Sequence, residues 1–328
     1  MDISIDNFIK SKNDKKRIFT AGPASLAIEN IIGLEPCFGR DDESYDKIET
    51  EVLDNLKSIS GHQFIARMQG SGSMALEVMI TNFAFGRVLV VDTGYYAQRA
   101  KMMAKVASDT IGHISKVEVV YWSDLEEVCG SYDWVFACYT ETSIGLKLCI
   151  NHLSKLAKKV GAKLMLDATA SIGLESDHNL ADVISYSSCK GLFGLTGAGF
   201  VAFNEHPSLE VSSFALSLNS HFERKMTGPY HAICSLLEIL RKHDEFKYAV
   251  SICKEDFVGR FKERVYFPKK LQPQLCTRVR GIINSDASNA ILYKPRSLLQ
   301  NESVVCHLGE IHLGLNSSGN INESLTIN

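Results

Sequence analysis

Apolar residues recur along the chain in two alternating rhythms. Short, mostly apolar runs stand at 64–68, 88–92, 117–121, 134–139, 163–167, 183–187 and 199–203. Longer stretches between several of them carry apolar residues at three-to-four spacing. In 49–59, for example, these are Val52, Leu53, Leu56 and Ile59, one face of a helix that Gly61 stops. The same reasoning predicts helices over 74–85, 95–106 and 151–160, and a short one over 124–128. The strand runs are nearly continuous in apolar character, which fits strands covered on both faces. Alternation of such strands with helices predicts an α/β fold with a mostly parallel central sheet.

The ends of the chain read differently. Gly22-Pro23 marks a turn, and Ser25 is placed to cap a short helix over 26–32. Beyond 203 the rhythm weakens. Residues 215–225 are mixed and polar, 227–229 is a Thr-Gly-Pro turn, and 230–240 is a helix with Ile233, Leu236, Leu237 and Leu240 on one side. A helix near 246–265 and strands near 290–293 and 303–307 follow. The expected organisation is an N-terminal arm (1–18), a large domain (19–244), a small, shortened α+β C-terminal domain (245–315), and a polar tail (316–328) expected to fray.

Bulk properties narrow the function classes. With 45% hydrophobic and 22% charged residues, a net charge of −3 and a pI near 6.4, composition gives no reason to expect nucleic acid or an anionic membrane as partner. The basic cluster at 10–17 is short and reads as a solvated arm. No apolar run approaches the ~20 residues of a spanning helix, and the first ten residues lack the apolar core of a signal peptide. Nine cysteines, an odd count without any C-x-x-C, exclude a thioredoxin-type motif and a zinc ribbon, and no metal site is expected. Buried thiols in a reducing compartment, and hence a cytoplasmic protein, are the expectation.

Candidate chemistry concentrates in 164–203. Asp167 ends one strand, and Lys190 follows the next in a Ser-Ser-Cys-Lys-Gly turn ahead of Gly191, Gly194, Gly197 and Gly199. Residues so placed face the crevice at the strand ends of an open α/β sheet. A lysine flanked by small residues is a candidate Schiff-base nucleophile. Earlier, Gly70-Ser71-Gly72-Ser73 lies between a strand and a helix, where free amides and hydroxyls suit an anion. A tight turn capped by Ser73 accounts for that stretch equally. Singly, each piece has a plain structural explanation: a cap for Asp167, a solvated turn for Lys190, packing for Tyr96. In order and together they match the needs of a phosphorylated aromatic aldehyde. Its phosphate needs the cradle, its ring nitrogen an acid, its aldehyde a lysine, and its ring an aromatic face such as Tyr96.

These pieces resemble the class V, alanine–glyoxylate type, pyridoxal-phosphate-dependent aminotransferases. The matching stretches keep the family's order: Phe19-Thr20-Ala21-Gly22-Pro23, Gln69-Gly70-Ser71-Gly72-Ser73, Gly94-Tyr95-Tyr96-Ala97-Gln98-Arg99, Glu141-Thr142-Ser143-Ile144-Gly145, Asp167, Ser188-Cys189-Lys190-Gly191 and Thr227-Gly228-Pro229. The segment 37–56 is similar to the members that use aminophosphonates. The resemblance implies a fold-type I transferase whose cofactor is pyridoxal 5'-phosphate, with Lys190 and Asp167 catalytic. It implies cofactor contacts from Ser71, Gly72, Ser73, Tyr96, Thr142 and Ser188, and from Thr227 and Tyr230 across the interface of a homodimer with shared active sites. Substrate contacts are implied for Gly22, Arg40 and His307. The implied reaction moves an amino group between a small anionic amine, such as 2-aminoethylphosphonate, and a 2-oxo acid such as pyruvate.

Four departures bear on that reading. Cys189 stands where the family has an amide before the lysine. Ala21 replaces a frequent proline. The region after 245 is short. In Val305-Cys306-His307-Leu308-Gly309, His307 takes the place of a late-strand arginine that grips the substrate anion, and imidazole does not replace a guanidinium fork. Either another arginine, Arg40, Arg280 or Arg296, takes part, or turnover of ordinary amino donors is lost, or His307 is a neutral core residue. A desulfurase or other lyase of the same fold, using Cys306, and a cofactor-binding homologue without turnover are the alternative functions.

Overall fold

Seven of the apolar runs line up in one sheet, in the spatial order Phe64–Gln69, Ala198–Phe203, Val183–Ser187, Lys163–Asp167, Trp134–Cys138, Gly86–Asp92, Ile114–Tyr121. The computed structural model describes residues 4–36, 41–297, 299–309, 311 and 320–328. Ala198–Phe203 runs antiparallel to both its neighbours, and the other pairings are parallel. Alternate side chains feed two cores, one on each face. Val88, Val90, Phe136, Met165, Val201 and Phe203 pack on the helices Gly72–Phe83 and Tyr95–Ile111. Leu89, Val91, Val135, Leu164, Leu166 and Phe200 pack on Glu43–Ser60, Ile150–Lys159 and Tyr230–Arg241. Both faces are dry, which is why the strands read as continuous apolar runs.

Helix boundaries follow local capping. The Glu43–Ser60 helix begins ahead of its periodic stretch because Asp42 accepts from the backbone N–H groups of Ser44 at 2.9 Å and Tyr45 at 3.4 Å. It ends on Gly61, which takes a left-handed φ of 72°. The Gly72–Phe83 helix is capped by Ser71, not Ser73: the Ser71 hydroxyl accepts from the Met74 N–H at 3.3 Å. Ser25 is not the cap of the short helix there, which spans Glu29–Ile32 and has Ile28 at its N-cap.

Both chain ends are more ordered than their polar composition predicts. Residues Ile5–Asn13 form a helix that buries Ile9, and Arg17–Phe19 pairs in parallel with Ala290–Leu292. The basic cluster therefore lies partly within structure rather than on a loose arm. At the other end, Leu325–Ile327 pairs with Ile283–Ser285. Ile321 and Leu325 are buried against Phe257 and Ile283, apolar contacts that offset the ordering entropy of a segment expected to fray. Between them, Cys276–Arg280 and Glu302–Cys306 form an antiparallel pair. Among the described residues no helix is long and apolar enough to cross a membrane, and no group of three or more potential metal ligands occurs.

Candidate active site

Five parallel strands end at one edge of the sheet, on Gln69, Asp92, Cys138, Asp167 and Ser187. The segments leaving them carry the candidate residues. This is the crevice in which open α/β sheets bind ligands.

Asp167 is buried and held from two sides. Its Oδ1 accepts from the Thr169 N–H at 2.9 Å, and its Oδ2 lies 3.9 Å from Arg99 Nη2. The Arg99 guanidinium sits 4.8 Å from the Tyr96 ring centre, and Lys190 Nζ lies 5.8 Å from the same ring. Tyr96 thus has two cations within reach of one aromatic ring, and one of those cations neighbours the buried acid. Gly22 lies against the lysine. A Cβ on it would stand 3.0 Å from Lys190 Cγ, and the Ala24 N–H donates to the Cys189 carbonyl at 3.2 Å.

The cradle is shaped by what glycine leaves out. A Cβ on Gly72 would stand 2.8 Å from Thr169 Cγ2 and 2.9 Å from Thr169 Oγ1, with Ser187 Cβ at 3.3 Å. The helix N-terminus therefore approaches the segment after Asp167 as closely as backbone allows. Thr169 Oγ1, Thr142 Oγ1 and Arg99 Nε are buried without a hydrogen-bond partner among the described residues. Leaving such groups unmet costs about 1–3 kcal/mol each, which fits a site completed by a polar ligand. Ser71 and Ser73 flank Gly72 at this helix start, with the Ser71 hydroxyl engaged in capping. Ser188 is fully buried, and its hydroxyl donates to the Leu195 carbonyl. Cys189, half-buried, has its sulfur 3.8 Å from Ser187 Oγ.

Three contributors were not singled out from the sequence. Glu141 is completely buried and anchors the helix that carries Tyr96 and Arg99. It accepts from the N–H groups of Tyr96 at 3.0 Å and Ala97 at 3.2 Å, from the Thr93 hydroxyl at 3.2 Å, and from the Ser143 hydroxyl. Burial pushes its carboxyl up despite these donors. Arg99 belongs to a quoted motif but was assigned no role. Tyr293 comes from the C-terminal segment, and its phenol is pushed up by burial, with Tyr96 and Thr142 beside it. The signal for Glu141 was an acid inside an otherwise small-residue turn.

Other candidates lie elsewhere. Thr227 is exposed in its turn, while Tyr230 packs edge-on to Tyr45 with ring centres 4.5 Å apart. Tyr45 donates to the fully buried Glu49 at 3.0 Å, which also accepts from Arg67 Nε at 2.6 Å. Arg40 lies outside the described residues. His307 takes the core alternative in this structure. The Leu275 carbonyl accepts its N–H at 2.9 Å, so it continues the strand register one residue past Cys306. Its side chain joins Thr277 and Val305 on the face turned to Phe257, whose ring centre is 5.4 Å away, and its Nε2 lies 3.0 Å from Thr277 Oγ1. Cys276, Val304, Cys306 and Leu308 occupy the opposite face, packed with Ala21, Phe193 and Tyr293. His307 is a core residue, and burial holds its imidazole down to about 3. Cys306, too, is inside a paired strand and not on a reaching loop.

The residues brought together suit pyridoxal phosphate, and the fold agrees. In architecture the chain is similar to solved aminotransferases, and in sequence to 2-aminoethylphosphonate–pyruvate transaminases. A 2-aminoethylphosphonate–pyruvate transaminase from Pseudomonas putida is 25% identical over 254 residues, covering 70% of this chain and 68% of that one. Among solved structures, an aspartate aminotransferase of subgroup IV from Thermus thermophilus superposes with a TM-score of 0.80 at 19% identity, covering 94% of this chain and 98% of that one. An alanine–glyoxylate aminotransferase from Nostoc sp. gives 0.76 at 16% identity, covering 93% and 95%. No protein-family model matches the chain.

Proposed function

We propose that the chain transfers an amino group from a small anionic amine of the 2-aminoethylphosphonate kind to a 2-oxo acid such as pyruvate. The observation that carries this is the convergence of Lys190, Asp167 and Tyr96 on one strand-end crevice beside the Gly72 cradle. When bound, pyridoxal phosphate supplies an aldehyde that links to amines and a protonated ring that takes up the electron pair left on the substrate carbon. Lys190 would hold the cofactor's aldehyde, and its Nζ would serve as the base that takes the proton from the substrate carbon and returns it to the cofactor. Asp167, out of water and fixed by the Thr169 N–H, would face the ring nitrogen and favour its protonated form. Arg99 and Thr169 hold that carboxylate in place. Tyr96 supplies the stacking face, and Glu141 fixes the helix start that presents it. Gly72 and its neighbours take the phosphate, while Thr142 serves the ring's hydroxyl side.

With His307 turned away, Arg296 is the cation that supports an anionic substrate. Its Nη1 donates to the Tyr95 hydroxyl at 2.9 Å, and the adjacent Ser297 hydroxyl donates to Ser143 at 2.8 Å. These contacts bring an exposed guanidinium to the tyrosine beside Tyr96. The reading includes a homodimer in which the exposed Thr227 turn completes the partner's phosphate site. It also includes a cytoplasmic setting, where the eight described cysteines stay free.

A half-reaction screen tests the reading. Cofactor-loaded protein is mixed with 2-aminoethylphosphonate, alanine or a neutral amine while the visible absorbance of the lysine-linked cofactor is followed. The expected result is bleaching by aminoethylphosphonate, no such band in Lys190→Ala, and at least a tenfold weaker half-saturation for the phosphonate in Arg296→Met. Retention of the band with every amine would leave a cofactor-binding homologue without turnover.

A further inference from the structure

Two thiols lie side by side behind the aromatic wall of the crevice. Cys276 and Cys306 are direct register partners in the antiparallel pair Cys276–Arg280/Glu302–Cys306. The next position along is hydrogen-bonded, since the His307 N–H donates to the Leu275 carbonyl at 2.9 Å. Bonded and non-bonded positions alternate, so Cys276 and Cys306 occupy a non-bonded one. There opposed Cα atoms approach to about 4.5 Å, inside the ~4.4–6.8 Å span that a disulfide bridges. Both residues are completely buried and pack in the same apolar cluster.

Their surroundings tie them to the site. The face they share packs on Ala21, Phe193 and Tyr293. Phe193 closes the turn that begins at Lys190, its N–H donating to the Lys190 carbonyl at 2.9 Å. The charge of Lys190 acts on the Cys306 thiol, and Tyr293 stands beside Tyr96 and Thr142.

We propose that Cys276 and Cys306 form a redox-active dithiol that a low-molecular-weight disulfide oxidises to an intramolecular cross-strand disulfide. One thiol attacks the reagent's S–S bond, releasing one reagent thiol and leaving a mixed disulfide. The second thiol displaces the remaining reagent thiol. Two S–H bonds and the reagent's S–S bond are broken. The new S–S bond and two reagent S–H bonds form, so two electrons and two protons pass to the reagent. Closure brings the sulfurs to a bond of about 2.05 Å, which moves the wall behind Tyr293. Burial pushes the Cys306 thiol well up, so the reaction is slow at neutral pH and quickens as pH rises. This assignment stands on strand register and does not depend on the transaminase reading.

Thiol counting with peptide mapping tests it. The reduced, cofactor-loaded full chain is incubated with oxidised glutathione at pH 8.5, alkylated, and digested without reductant. A second arm refolds the reduced chain in a glutathione redox buffer, so that access to the buried pair is not limiting. The expected result is a fall from nine alkylatable thiols to seven, with a peptide linking Cys276 to Cys306. The link is reversed by dithiothreitol and absent from Cys306→Ser. Alkylation of both cysteines in both arms, a stable glutathione adduct on either one, or linkage of either to a different cysteine would overturn the proposal.

Discussion

Substitution of His307 decides whether the late strand presents it to the substrate or to the core. In the structure its imidazole is walled in by Phe257 and Thr277, its Nδ1 has no hydrogen-bond partner among the described residues, and burial, aided by the Lys254 charge, holds it down to about 3. In the unfolded chain it titrates near 6.5. A depressed histidine contributes stability that is fully present above 6.5 and is lost as pH falls towards the folded value. At about 1.36 kcal/mol per pH unit, His307 alone lowers stability by about 2 kcal/mol between pH 7.5 and 5. The full loss, reached only near pH 3, is about 5 kcal/mol.

Urea unfolding of the wild type and of His307→Leu at pH 7.5, 6.5, 5.5 and 5.0 reads this out. At pH 7.5 the two should differ by about 1–2 kcal/mol, mostly from leaving the Thr277 hydroxyl unpaired. On acidification the variant should lose about 2 kcal/mol less than the wild type. His62, His178, His221 and His243 are also held down by burial, so both proteins lose stability, and only the difference reports on His307. Parallel pH profiles, or a His307 ring titrating near 6.5 by NMR, would refute the core placement and return His307 to the substrate.

Two further substitutions separate the site from the scaffold. Gly72→Ala pushes a methyl to within 2.8 Å of Thr169. Its helix-propensity gain of about 1 kcal/mol offsets part of an overlap cost of about 1–3 kcal/mol, a net stability loss of about 0–2 kcal/mol. Cofactor affinity, followed by absorbance titration, should fall at least tenfold, and an unchanged affinity would place the phosphate elsewhere. Glu49→Ala strands the buried Arg67, whose Nε is 2.6 Å from the carboxylate. Unfolding in urea should show a loss of about 3–5 kcal/mol, whereas a loss under about 1 kcal/mol would mean that Arg67 finds water or another acceptor.

The cofactor end of the site was legible because its residues sit at strand ends, and strand ends are marked by local signals. Asp167 and Lys190 each follow a short apolar run, and the parallel register brings those runs together without any long-range detail. The face of the late strand was not legible. A strand reverses its side-chain direction at every residue, and likeness to a late strand that carries an arginine fixes position but not which side the residue takes. That side is set by the pairing of His307 with Leu275, a contact between distant segments. Glu141 escaped for a similar reason: the amides it holds, those of Tyr96 and Ala97, are remote in sequence. The tail misled because composition alone ignores Ile321 and Leu325, which are too few to form a pattern but enough to dock it.

The two halves of the site are built to different tolerances. The residues proposed to meet the cofactor leave strands of one sheet buried on both faces, so their positions are fixed by two dry cores. Those proposed to meet the substrate lie in segments joined to that sheet by smaller contacts. These are the three-residue pairing of Arg17–Phe19 with Ala290–Leu292, the Ser297–Ser143 hydrogen bond, and the Arg296–Tyr95 hydrogen bond. A hydrogen bond of this kind is worth about 1 kcal/mol, against about 2–5 kcal/mol for one large core side chain truncated to alanine. Substitutions at residues 290–297 therefore cost the scaffold little, and on the proposed reading they are expected to move substrate preference while the lysine-linked absorbance stays intact.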